Sequence, residues 1–133
     1  MEVLYENEYV QINIDRENKF LEYHLKKIES SEQYKNSMEK VYELVCKNDC
    51  NKLLPVLKNN TPIPKDARIW AISVWFPRLV KKGVSTFAVV NPYSGYASTP
   101  LDKLNSIYER RQTGIAIVYF NDLNKARTWI SSL

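Results

Sequence analysis

His24 is the only imidazole in the chain, so acid–base or nucleophilic chemistry near neutral pH would have to be assembled around it. It alternates with Tyr23 in the run Phe20-Leu21-Glu22-Tyr23-His24-Leu25, and as a base it would need a Ser or Cys nucleophile delivered by the fold. A structural or surface histidine is the reading. Cys46 and Cys50 stand four apart near the end of an expected helix. A disulfide needs a Cα separation that a regular turn and its exit do not guarantee, so two free thiols in a reducing compartment are expected. Zinc would require two further ligands and finds only His24, so no metal is assigned. With 3 Gly in the whole chain, no phosphate-cradling loop can be written. No residue is assigned a catalytic role, no cofactor is expected, and the chain reads as a non-enzyme.

Binding chemistry has more material. Arg68 and Arg78 are ten residues apart in one helical stretch, about three turns, and either could neutralise a carboxylate or phosphate. Trp70, Trp75 and Trp129 fall at helical spacing and read first as core, with Trp70 also able to line a pocket or a partner surface. Tyr93, Ser94 and Tyr96 lie on a loop after a buried strand, where α/β proteins place ligands. Nine Tyr and scattered Lys could stack nucleic acid, but no binding motif accompanies them, so no nucleic-acid partner is assigned.

These residues must be positioned by one domain spanning 1–133. A chain of 133 residues and 15.6 kDa buries roughly 68% of its unfolded surface, and the 44% hydrophobic and 26% charged fractions exclude disorder. No stretch is apolar enough for a membrane span, and MEVLYENEYV lacks the regions of a secretory leader; a cytoplasmic location is expected. The net charge of +4 is unevenly spread. Residues 1–50 carry 7 basic and 11 acidic side chains, net −4, and residues 51–133 carry 12 and 4, net +8.

Val3 and Tyr5, then Val10, Ile12 and Ile14, then Leu21, Tyr23 and Leu25 alternate with polar residues and predict a three-stranded meander. From Ser30 the period becomes helical. Ser30 and Gln33 form a possible capping box, and Tyr34, Met38, Val41, Tyr42 and Val45 mark the inner face of a helix ending near Asn48. Lys52 to Leu57 is a short strand that Pro55 should make short, bent or an edge. After the loop at 59–64, Lys65 to Lys82 is a largely enclosed helix. Pro77 should kink it or split it in two, and Gly83 should stop it. Val84 to Val90 and Gly114 to Phe120 read as strands covered on both faces. Between them Thr99-Pro100 starts a helix expected to turn Leu101, Leu104, Ile107 and Tyr108 inward. A final helix, capped by Asn121 or Asp122, carries Leu123, Ala126, Trp129, Ile130 and Leu133. The order predicts an α/β fold, with a mixed central sheet of about six strands flanked by about four helices.

The segment Trp70-Ala71-Ile72-Ser73-Val74-Trp75-Phe76-Pro77-Arg78, then Gly83-Val84 and the apolar strand to Val90, then Tyr119-Phe120-Asn121-Asp122 through Ala126 and Trp129-Ile130, resembles the small bacterial STAS-like proteins. These are relatives of anti-sigma-factor antagonists and, more distantly, of CRAL-TRIO lipid-carrier domains. The element order agrees over nearly the whole chain. The resemblance implies a regulatory or scaffolding module that binds another protein. This chain's own residues suggest that the affinity comes from an aromatic and basic patch around the kinked helix and the Asn91–Ser98 loop, with Arg68, Trp70, Arg78, Tyr93 and Tyr96. The alternative that the resemblance implies is a carrier or sensor of a small apolar or anionic, lipid-like ligand, held between the Trp70–Val80 helix and the sheet. The antagonists' phosphorylatable Ser, close behind an Asp, has no counterpart in Leu54-Pro55-Val56-Leu57-Lys58-Asn59-Asn60-Thr61; Thr61 is the residue there that could take a phosphate.

Overall fold

Three strands open the chain: β1 (Glu2–Glu6), β2 (Val10–Asp15) and β3 (Phe20–Leu25), in a computed structural model that describes residues 1–57, 63–92 and 95–133. Their turns are closed by side chains. Asn7 Oδ1 accepts from the N–H groups of Tyr9 and Val10 at 2.8 and 2.9 Å. Asp15 Oδ1 accepts from Asn18 N–H at 2.9 Å, and Lys19 completes that turn at φ 57°. A bulge between Val3 and Tyr5 breaks the regularity of the outer strand, which discourages edge pairing.

Helix α1 (Ser31–Asn48) starts as the sequence predicts, Ser30 accepting from the Gln33 N–H. The reciprocal half of the capping box is displaced by one residue, because the Gln33 side chain accepts from Glu29 N–H at 2.8 Å. Strand β4 (Lys52–Val56) follows, then α2 (Lys65–Trp70), a π turn (Ala71–Trp75) and α3 (Phe76–Lys82) in unbroken succession. Strand β5 (Thr86–Val90), α4 (Pro100–Thr113), β6 (Ala116–Phe120) and α5 (Leu123–Ser131) complete the chain.

The fold is α/β, with a six-stranded mixed sheet in the order β1-β2-β3-β4-β5-β6. The first three strands are antiparallel and β3 to β6 are parallel. Helix α1 and the α2–π–α3 run pack together against one face, burying Ile12, Leu21, Tyr23, Leu53 and Phe87 with Met38, Val41, Trp75 and Leu79. Helix α5 covers the other face, where Ala126 and Ile130 meet Phe20, Leu54, Val56, Ala88, Val90, Val118 and Phe120. Among the described residues no helix is long and apolar enough to cross a membrane.

Of the alternatives expected for the strand that carries Pro55, the short one is found and the edge is not: β4 has 5 residues and lies between β3 and β5 with every residue buried. Pro55 is tolerated because the recorded pairing to β5, at Lys52, Leu53 and Val56, lapses at Leu54 and Pro55, where the imide nitrogen has no proton to give. Strand β6 is not covered on both faces. It is the sheet edge, burying Ala116, Val118 and Phe120 while Ile117 and Tyr119 stand exposed.

A further correction concerns α4, whose expected inner stripe is turned outward at three of its four positions. Leu101, Leu104 and Tyr108 are 64%, 67% and 64% exposed, while Ile107 is half-buried. The face toward the protein is mostly polar, with Lys103, Ser106 and Arg110 at the same i, i+3, i+7 spacing beside Ile107. Ser106 Oγ donates to Ile117 O at 3.1 Å, Arg110 Nη1 donates to Thr86 Oγ1 at 3.1 Å, and Lys103 Nζ lies 4.9 Å from the Phe120 ring centre. Side-chain hydrogen bonds to β6 and β5 and a cation over a β6 ring hold this helix to the sheet, in place of burial of Leu101, Leu104 and Tyr108.

Candidate functional site

Pro77 organises the helix that carries most of the predicted binding residues. In a regular helix its ring would clash with the carbonyl of Ser73, four residues earlier. The π turn removes that conflict: the Phe76 N–H reaches back five residues to Ala71 O, and Pro77 falls in the first turn of α3. The helical segments therefore follow one another without a break through a locally widened turn, a device associated with functional surfaces.

The inner side of this helix is fully used. Ala67, Trp75 and Leu79 are buried. The Trp75 indole donates to Met38 O at 2.7 Å and meets Tyr23 edge-on, with ring centres 6.3 Å apart. These side chains pack between helix and sheet. Trp70 is half-buried, with Lys35 Nζ 6.0 Å from its ring centre. The helix is not largely enclosed, as the sequence suggested: on the outer side Ile69, Ile72 and Val74 are exposed, Ile72 by 74%.

The two arginines differ. Arg68 is exposed and makes no hydrogen bond or ion pair among the described residues. Arg78 is taken up within the fold: its guanidinium donates to both oxygens of Glu39 on α1, at 2.6 and 3.3 Å, and lies 4.1 Å from the Tyr42 ring centre. Its pKa is raised by the Glu39 carboxylate. Arg78 clasps α3 to α1, which leaves Arg68 as the cation displayed beside Ile69 and Ile72.

Tyr96 stands at the other end of the expected patch. Its ring packs edge-on against Tyr119, centres 5.5 Å apart, and its hydroxyl lies 3.4 Å from Asp102 Oδ2. Asp102 also closes the Thr99 capping box. The structure thus joins Tyr96 to Tyr119 on β6 and to the start of α4, whose outward stripe is Leu101, Leu104 and Tyr108. The free edge of β6 is already satisfied near Tyr119. Ser98 N–H donates to Tyr119 O at 2.7 Å, and the Tyr119 N–H donates to Ser98 Oγ at 2.8 Å. A partner would meet side chains here rather than extend the sheet. Tyr93 and Thr61 lie outside the described residues.

A buried polar cluster escaped the sequence reading. Glu22, fully buried on β3, accepts from Arg127 Nε and Nη2 on α5, each at 2.8 Å, and lies 2.6 Å from His24 Nε2. Burial raises the Glu22 pKa, but the hydrogen bonds and charges of Arg127 and His24 outweigh it and hold the carboxyl at about 2. Asn13 is paired with Glu22 across the strands, and its buried Oδ1 has no hydrogen-bond partner among the described residues. Among the described residues the Glu22 carboxylate is the one hydrogen-bond partner of the His24 ring. The arrangement fixes an imidazole and anchors α5 without presenting a nucleophile. Alternation in β3 signalled polar side chains at 22 and 24, but nothing local showed that α5 would cover them.

Both thiols are free, Cys50 buried and Cys46 half-buried. Among the described residues no group of three His, Cys, Asp or Glu side chains could hold a metal. Comparison of the chain with known protein families, curated proteins and solved structures gives no match.

Proposed function

We propose that this chain is a non-enzymatic, STAS-like module that works by binding another protein, in a regulatory or scaffolding role. One observation carries the reading: α4 turns Leu101, Leu104 and Tyr108 to solvent while docking through Lys103, Ser106 and Arg110. Helices of water-soluble domains ordinarily bury their apolar stripe, and an exposed one beside further exposed apolar residues marks an interaction surface. Tyr119, Ile117 and Tyr96 extend this surface from α4 onto the edge of the sheet, with aromatic side chains of the kind enriched at interfaces. Arg68, Ile69 and Ile72 offer a second basic and apolar surface on the π-bulged helix.

The test is affinity capture with the purified chain and quantitative mass spectrometry, comparing the parent with Leu104→Glu, Ile72→Glu and a Lys65→Glu control. A specific partner retained by the parent and the control but lost by Leu104→Glu supports the α4 surface. The same partners recovered by all four proteins would sink it.

A further inference from the structure

The ends of the sheet where β4 and β5 begin hold a pocket that the protein-binding reading does not use. It has a volume of about 290 Å³ and is lined by three cationic side chains, Lys19, Lys52 and Arg110, together with Asn51, Ser85 and Glu17. We propose that this pocket binds a small phosphate-bearing anion, either inorganic phosphate or a compact phosphate monoester.

Lys52 makes this more than a group of surface charges. It is only 8% exposed and is held in place by donating to Ile130 O at 3.2 Å and Leu133 O at 3.4 Å, at the end of α5. An ammonium has three protons, so one remains after those two bonds. Arg110 is fixed as well, since Nη1 donates to Thr86 Oγ1, and a guanidinium retains further donors on its other nitrogen atoms. Two cations are thus immobilised at the same opening, Lys52 on main-chain oxygens at the end of α5 and Arg110 on the Thr86 hydroxyl, neither of them paired with a side-chain carboxylate among the described residues.

The acidic groups nearby do not satisfy them. Asp15 acts on Lys52 through its field, but its two oxygens accept from the Asn18 backbone and side-chain N–H groups at 2.9 and 3.1 Å. Glu17 is exposed at the lining. Burial pushes the Lys52 ammonium below the usual lysine range, Asp15 opposes this, and Arg110 adds to it. A dianion between Lys52 and Arg110 would neutralise both and relieve their repulsion. A phosphate suits the geometry because it offers several acceptor oxygens to donors arriving from different elements, the ammonium from β4 and the guanidinium from α4. Exposed Lys19, on the β2–β3 turn, can close over the ligand without a change in the sheet. The volume leaves room beside the phosphate for a few further atoms, which is why the organic part must be small.

The experiment is titration of the purified chain, at fixed ionic strength, with inorganic phosphate, glycerol 3-phosphate and acetate, followed by isothermal calorimetry and by backbone amide shifts. Saturable binding of either phosphate, with shifts centred on Lys19, Lys52, Ser85 and Arg110, is expected. Arg110→Gln should weaken it by about tenfold or more, as loss of a charge-assisted hydrogen bond does, and Lys52→Met likewise. Arg110→Gln removes one partly exposed contact, so it serves where Lys52→Met compromises folding. Arg68→Gln, on the opposite side of β5 from α5, should leave the affinity unchanged. Tighter binding of glycerol 3-phosphate than of inorganic phosphate identifies a monoester site, and the reverse order identifies free phosphate. No saturable binding, equal binding of acetate, or equal affinities in the parent and Arg110→Gln would each overturn the assignment.

Discussion

Arg127 on α5 grips Glu22 on β3 through two parallel hydrogen bonds of 2.8 Å, joining residues 105 positions apart in sequence. The carboxylate is fully buried, so the pair is an anchor between the last helix and the antiparallel part of the sheet. Its energetic role follows from what happens when one partner is removed. A buried carboxylate that is bonded on both oxygens tolerates the loss of its cation poorly.

Glu22→Gln should therefore destabilise the fold by about 2–4 kcal/mol, since it leaves the guanidinium facing a neutral amide and weakens the His24 contact. Chemical denaturation of parent and variant at neutral pH measures the difference. A change below about 0.5 kcal/mol, the usual scale of surface substitutions, would show that the pair is not an anchor.

Acid should act through the same carboxylate. The folded pKa of Glu22, about 2, lies below its ordinary value of 4.5. Its stabilising contribution is consequently present above pH 4.5 and is lost as pH falls from there through about 2, because the unfolded chain takes up the proton first. The ceiling on that contribution is about 3 kcal/mol. Subtracting the stability–pH curve of Glu22→Gln from that of the parent should give a difference that shrinks over this window. A difference that stays constant down to pH 2 would assign the acid sensitivity to other groups.

Arg78 and Glu39 are coupled more weakly, because both are substantially exposed. A double-mutant cycle with Arg78→Ala and Glu39→Ala should return a coupling of about 0.5–1 kcal/mol, reduced in high salt. The Arg78→Ala single change should cost more than the coupling, since the guanidinium also stacks on Tyr42. A coupling indistinguishable from zero would contradict the clasp between α1 and α3.

How far these relationships were legible in the sequence depends on their range. Hydrophobic period and local caps identified the strands, the helices and their order, because Ser30, Thr99, Asp122 and Gly83 act within a few residues, whereas Gly114, read as the start of a strand, is the C-cap of α4. Periodicity cannot say which side of a helix faces the sheet. Leu101, Leu104 and Tyr108 mark a stripe on α4, yet Ser106 and Arg110 find partners on β6 and β5 and turn that stripe outward. The unbroken apolar run of β6 likewise gave no sign that the strand would lie at an edge. Pro55 pointed to a short strand, which β4 is, but could not give its central place in the sheet, because the cost of a proline depends on whether the neighbouring strand needs a donor at that position. The Glu22–Arg127 pair and the Lys52–Arg110 pocket both join residues distant in sequence, so no spacing rule could have shown them. Arg68 and Arg78 could be picked out as cations near Pro77, but the presence of Glu39 opposite only one of them is a tertiary fact.

Trp75 offers a probe of the helix–sheet contact. Replacing it with Phe removes the bond to Met38 O and leaves part of the indole volume empty beside Tyr23, at a cost of about 1–2 kcal/mol. The π turn should survive, since Pro77 is untouched, and amide exchange at Phe76 should remain that of a bonded N–H. Loss of protection at Phe76 in Trp75→Phe would mean that the indole, rather than the proline, sustains the widened turn.

The orientation of α4 can be tested against that of α5 with two substitutions of the same class. Ile130 is fully buried among Phe20, Leu54 and Val118, so Ile130→Ala should cost about 2–5 kcal/mol, the transfer loss plus that of the cavity left behind. Leu104 lies on a helix of similar amphipathic pattern but faces solvent, and Leu104→Ala should change stability by no more than about 0.5 kcal/mol. Alanine has the higher helix propensity, which further offsets the small contact that Leu104 loses. Equilibrium denaturation of the two variants at one protein concentration decides the matter, provided the midpoint is repeated at a second concentration. Comparable losses in both would place the Leu101, Leu104 and Tyr108 stripe in a core and remove the basis for reading it as a docking surface.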